Sequence, residues 1–73
     1  MNRIHPKKLL LSKWTAVTPQ QKDKHFMVVK VVMPETPGEA IEWVDLEALF
    51  SRQVHRIAWR ELRDGEQWRQ GWV

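Results

Sequence analysis

The run His25-Phe-Met-Val-Val-Lys-Val-Val-Met33 constrains the fold more than any other stretch of this chain. Strand alternation places Met27, Val29, Val31 and Met33 on one face and Phe26, Val28 and Val32 on the other. Only Lys30 and His25 interrupt the apolar character. A strand of this kind has to be covered on both sides. In 73 residues the cover must come from the termini or from a second copy of the chain. A chain this short makes one domain, near the lower size limit for a self-supporting core. It has no cysteine, which excludes disulfides and thiolate metal sites. His5, His25 and His55 lack the close pairing of a zinc site, so no cofactor is expected. Bulk remains as the stabiliser, and five tryptophans supply it. Each buries about 200 Å², worth about 5 kcal/mol at about 25 cal/mol per Å² before ordering costs.

The flanking segments read mainly as strands. Residues 1–8 are expected to form a flexible basic arm, because Pro6 blocks regular structure. Leu9 to Val17 reads as a strand ended by Thr18-Pro19, with Trp14, Thr15 and Val17 favouring extended backbone. Gln20 to Lys24 is a polar loop, and Pro34-Glu-Thr-Pro-Gly38 a turn. Glu39 to Phe50 is ambiguous. Its Glu, Ala and Leu content favours helix, but a helix would scatter Ile41, Trp43, Leu46 and Phe50 around its circumference. As a strand it gathers Val44, Leu46, Ala48 and Phe50 on one face and Asp45 and Glu47 on the other, which is the preferred reading. Ser51 to Gln53 is a hairpin-length loop without glycine, and Val54 to Trp59 is the last strand.

The final residues, 59–73, hold three of the five tryptophans. Asp64 and Gln67 have the spacing of a capping box. A helix of one or two turns is expected to follow, with Gly71 as its stop. Leu62, Trp68 and Trp72 would pin it to the sheet, as the missing half of the core. The expected fold is mostly β with a small α+β character: a four-stranded antiparallel meander or small barrel-like sheet, capped by a short C-terminal helix or turn. The expected core is Trp59, Leu62, Trp68, Trp72, Val29, Val31 and Leu46.

Net charge is +3, but it is unevenly spread. Residues 1–30 carry seven Lys or Arg against Asp23 alone, and residues 31–50 carry five acids and no base. Residues 51–73 carry five arginines against Glu61, Asp64 and Glu66. Such blocks either pair within the fold or present a basic face to an anionic partner, and pairing is the simpler outcome.

Several motifs together, Pro6-Lys-Lys-Leu-Leu10, Ser12-Lys-Trp-Thr-Ala-Val17, Lys24-His-Phe26, Trp59-Arg-Glu-Leu62 and Trp68-x-x-Gly71-Trp72, resemble a family of small tryptophan-rich bacterial proteins. Residues 27–50 carry the least of the likeness. The resemblance implies a cytosolic protein of about this length and transfers no functional residue.

The residues argue against an enzyme. There is no glycine-rich phosphate loop, no Gly-x-Ser-x-Gly elbow and no His-Glu-x-x-His motif. Glu42, Asp45 and Glu47 read as a solvated strand face rather than acid–base carboxylates. His25 and His55, on strands that could approach, lack a third ligand. No apolar run reaches the ~20 residues of a membrane helix, and the opening is too short for a signal-peptide core. A cytoplasmic protein is therefore expected, with no membrane and no small-molecule substrate. Two readings remain: a non-catalytic binding or accessory module that associates with a protein partner or with itself, and a nucleic-acid (RNA) binder. The first rests on the two-faced strand. The second would use Arg3, Lys7, Lys8 and Lys13 of the N-terminal arm with Arg56, Arg60, Arg63 and Arg69 as phosphate contacts.

Overall fold

The computed structural model describes residues 1–19 and 23–73. Of the expected polar loop at Gln20 to Lys24, residues 20–22 lie outside the described residues. Five strands form one antiparallel sheet: β1 (Lys13–Ala16), β2 (His25–Val32), β3 (Trp43–Ala48), β4 (Val54–Ala58) and β5 (Trp68–Gln70). Their spatial order is β4-β3-β2-β1-β5. The first four make the expected meander. The fifth returns to pair with β1, and the sheet stays open with β4 and β5 as its two edges. Residues 39–50 contain a strand and not a helix, although it is shorter than expected and leaves Phe50 exposed in the loop beyond it.

One face of the sheet carries the core. Register places Trp14 opposite Phe26, Phe26 opposite Ala48, Val28 opposite Leu46, and Val44 opposite both Val31 and Ile57. Leu9, Trp14, Phe26, Val28, Val44, Leu46, Ala48 and Leu62 form the buried cluster. Leu62 is wholly buried although it belongs to no strand. It sits in a 3-10 turn, Trp59–Arg63, that carries the chain from β4 across to β5. Glu61 secures this turn by accepting from the Ala58 N–H at 3.3 Å, and the Trp59 indole N–H donates to the Ile41 carbonyl at 2.8 Å.

Uniform alternation along β2 is corrected by a register shift between Val28 and Lys30. Val29 is the extra residue, half-buried and outside the core cluster where the sequence reading had placed it. Beyond the bulge, Val31 returns to the inner face with Phe26 and Val28, while Lys30 and Val32 face outward opposite Asp45 and Trp43. A bulge costs one residue of alternation, and no binary pattern reveals it.

The tail is also corrected. No helix follows Asp64. Its carboxylate instead accepts from the Glu66 N–H at 2.9 Å and the Gln67 side-chain amide at 3.0 Å, and its carbonyl accepts from the Trp68 N–H at 2.9 Å. That turn launches β5. The capping-box residues are thus used to reverse the chain, a competing role of short polar side chains. Trp59 opens the 3-10 turn rather than ending β4. Trp59 and Trp68 pack partly buried against the core, and Trp68 meets Phe26 edge-on with ring centroids 5.3 Å apart. Trp72 does not join them. Gly71, at φ +83°, ends a strand and not a helix, and turns the chain onto the opposite face. There the Trp72 indole donates to the Phe26 carbonyl at 2.9 Å, and Thr15 is buried between a donated bond to the Gly71 carbonyl and an accepted one from the Val73 N–H.

The N-terminal arm is docked. A 3-10 turn at Pro6–Lys8 is capped by the His5 imidazole, whose Nδ1 accepts from the Lys7 N–H at 3.2 Å. Asn2 uses its side-chain amide to bridge the Leu62 and Trp68 carbonyls at 2.8 and 2.9 Å, and its own N–H donates to the Arg63 carbonyl. Asn2→Ala is therefore expected to lower stability by about 1–3 kcal/mol, the cost of orphaning part-buried acceptors. Lys7→Ala on the same arm is expected to change it by less than about 0.5 kcal/mol. Urea unfolding of the two variants against the parent checks both.

Candidate polyanion-binding surface

The basic residues gathered from the sequence are sorted by the fold into unlike settings. Arg3, Lys8 and Lys13 come together with His5 along one groove of about 740 Å³, between the N-terminal arm and the edge formed by Gln70 and Gly71. The arm positions Arg3 and His5, the Pro6–Lys8 turn positions Lys8, and the first residue of β1 positions Lys13. Among the described residues no acidic side chain lines the groove. Lys7 lies on the neighbouring flank, beside Leu10 and Lys30. Arg69 is on β5 opposite Thr15, on the outer face that Lys13 shares.

The remaining arginines are compromised. Arg56 binds Asp45 across β3 and β4 with Nε 2.8 Å from the carboxylate, and Arg52 meets Glu47 at 3.2 Å. Two of the five acids of the middle block, Asp45 and Glu47, therefore do pair, but with the arginines of the adjacent hairpin and not with the N-terminal lysines. Arg60 and Arg63 flank Met1 in a shallow hollow that also holds Asp64 and Glu66, so the charge there is mixed. Arg63 additionally leans over the Trp59 ring at 6.0 Å. Among the described residues, Arg3, Lys7, Lys8 and Lys13 make no ion pair. Their ammonium and guanidinium charges are available to an external anion.

Sequence reasoning missed two parts of this surface. The first is Leu11, at φ +67° and 63% exposed on the groove lip. The Ser12 N–H donates to the Leu9 carbonyl, closing a β-turn whose third residue is Leu11. That position ordinarily takes glycine, and a left-handed leucine costs about 1–2 kcal/mol. A search for glycine-bearing turns passes over it. The second is the pair of rings beside the groove. Lys13 Nζ lies 4.7 Å from the centre of the Trp72 ring, which is 39% exposed, and His25 lies 6.3 Å from that ring. Lys13 thus belongs both to the groove and to the indole.

Among the described residues no three His, Cys, Asp or Glu side chains gather as a metal cluster. His25 and His55 do not approach as their strands had suggested. His25 sits on the outer face with Thr15, and His55 on the inner face opposite Leu46. Glu42 is exposed, and Asp45 and Glu47 are held by arginines. Among the described residues no helix is long and apolar enough to cross a membrane.

Hydrogen bonding from Arg56 lowers the Asp45 carboxyl below the usual aspartate range, against a smaller opposing effect of burial. A depressed carboxyl stabilises the fold above its unfolded value and loses that contribution as pH falls through the folded value. Arg56→Gln is expected to destabilise the protein slightly at pH 7. The difference from the parent should shrink progressively as pH falls below the ordinary aspartate value of about 3.9. Thermal unfolding of both proteins across that range measures it.

No curated protein and no solved structure matches the chain. Residues 12–73 match the family described as Tryptophan-rich protein (DUF2389), so the matched span takes in all five strands and all five tryptophans but not the Pro6-Lys-Lys-Leu-Leu10 motif. With the match covering most of its length, this chain is a member of that tryptophan-rich family.

Proposed function

We propose that the protein is a non-catalytic binding module that holds a single-stranded nucleic acid, RNA in the first instance, on its N-terminal basic groove. The observation that carries this reading is the convergence of Arg3, Lys8 and Lys13 on one acid-free groove with no ion pair among the described residues. Phosphates attract such charges at long range and bind by releasing counterions. Trp72 and His25 lie at the Gly71 end and offer ring faces to a base. Lys13 would leave the indole for a phosphate, freeing the ring to stack, and base stacking on an aromatic side chain is worth about 1–3 kcal/mol. Sequence preference would then be weak, since every base has a ring face and the groove offers few hydrogen-bonding groups besides its cations.

Self-association through an uncovered β2 is less favoured. The N-terminal arm and Leu62 cover its inner face, and the Gly71–Val73 segment lies over the outer one at His25 and Phe26.

A fluorescently labelled ten-nucleotide oligouridylate tests the proposal by polarisation. Binding should weaken steeply with salt, with a slope of about 0.7 for each phosphate contacted. The combined variant Arg3→Ala, Lys8→Ala, Lys13→Ala should lose at least about tenfold in affinity, whereas Arg56→Ala should lose little. A flat titration at low salt, or equal losses in the two variants, would reject the groove as the site.

A further inference from the structure

We propose a second recognition site, independent of the basic groove: the free edge of β4 accepts an extended peptide as a sixth strand, and the peptide's inward side chains fill a cup on the inner face.

The backbone supplies the first half of the site. The Ala48 N–H donates to the Gln53 carbonyl and the Trp59 N–H to the Glu42 carbonyl, so Gln53 and Trp59 direct their groups toward β3. Antiparallel alternation assigns the same direction to His55 and Ile57. Val54, Arg56 and Ala58 then face outward from the sheet edge, and among the described residues only the Ala58 N–H is occupied, by Glu61. The N–H and C=O groups of Val54 and Arg56 are left as a short ladder, the arrangement that strand addition uses.

The side chains supply the second half. Because the sheet is open, a concavity of about 560 Å³ lies between its two edges, bounded by β4 on one side and β5 with its preceding turn on the other. Its apolar lining is Phe26, Leu46, Ile57 and Trp68. An added strand next to β4 would point every second side chain over this lining. The lining also includes two carboxylates, Asp23 and Glu66, neither of which has a cation partner among the described residues. Asp23 is buried and fixed by the Ser51 N–H at 3.2 Å and the Ser51 hydroxyl at 2.9 Å, so its charge is held in place at the cup. The occupant that fits is a short extended segment of alternating apolar residues with lysine or arginine at its ends. A second copy fits less well, since antiparallel β4–β4 pairing centred on Arg56 would set two arginines directly opposite.

The probe is the acetylated, amidated peptide Lys-Thr-Val-Thr-Val-Thr-Lys, whose valines and terminal lysines share one face, added to the full chain and followed by amide hydrogen exchange and two-dimensional NMR. The expected result is slowed exchange at the Val54 and Arg56 amides and a shifted Trp68 indole signal. Val54→Pro removes an outward N–H at a site where an edge strand tolerates proline, and should weaken the peptide at least tenfold while oligouridylate binding is kept. Replacing the terminal lysines by glutamates should weaken it severalfold on the unchanged protein, a measurement that needs no variant to fold. No binding at millimolar peptide, protection away from β4, or indifference to the end charges would overturn the proposal. So would β4 amides already protected in a dimer without peptide.

Discussion

The strand β2 sits in the middle of the sheet, and a chain without cross-links has only its two ends with which to cover it. The inner side receives Leu9, Ile4 and Leu62, all brought there by the N-terminal arm and the 3-10 turn after β4. The outer side receives Trp72, hydrogen-bonded to the carbonyl of Phe26 in that same strand. Asn2 joins the two strategies by bridging Leu62 and Trp68, so the arm, the turn and the last strand are fixed by one amide. Both surfaces proposed for recognition are by-products of this cover. The docked arm forms one wall of the basic groove, and the turn that leads into β5 forms one wall of the cup.

Charge follows the same logic. The hairpin of β3 and β4 places Asp45 opposite Arg56 and Glu47 within reach of Arg52, so short-range register pairs the two acids of β3. The basic arm reaches the far end of the sheet, at β1 and β5, where no such register exists. Cations without an ion pair therefore gather at the groove, although the net charge of the whole chain is modest. Separation of charge by strand order, rather than its total, is what makes an anionic partner the favoured reading.

Much of the sheet was legible in the residues. The β-branched run of β2, the proline-glycine turn after it and the alternation of Val44, Leu46 and Ala48 each specify a strand by side-chain packing. The hidden parts are those in which a residue acts against its usual preference. Val29 is unremarkable as a letter yet creates the bulge, and Leu11 and Arg52 occupy left-handed backbone at φ +67° and +65° where glycine is customary. Asp64 and Gln67 have the spacing of a helix start, but three successive hydrogen bonds turn the chain into β5 instead. The candidate surface was legible in part. Its cations could be named from the sequence, but their division into paired, mixed and unpaired sets depends on register. The groove itself depends on Asn2, one polar residue with no pattern around it.

The bonds from the Asn2 side chain span 60 and 66 residues of chain. Contacts this distant in sequence carry a large loop-closure cost and tend to slow folding. During synthesis the N-terminal arm precedes Leu62 and Trp68, and it lacks these partners until both have been made. The protein is thus committed to closing its fold late, and the groove takes its final shape only when the last strand is in place.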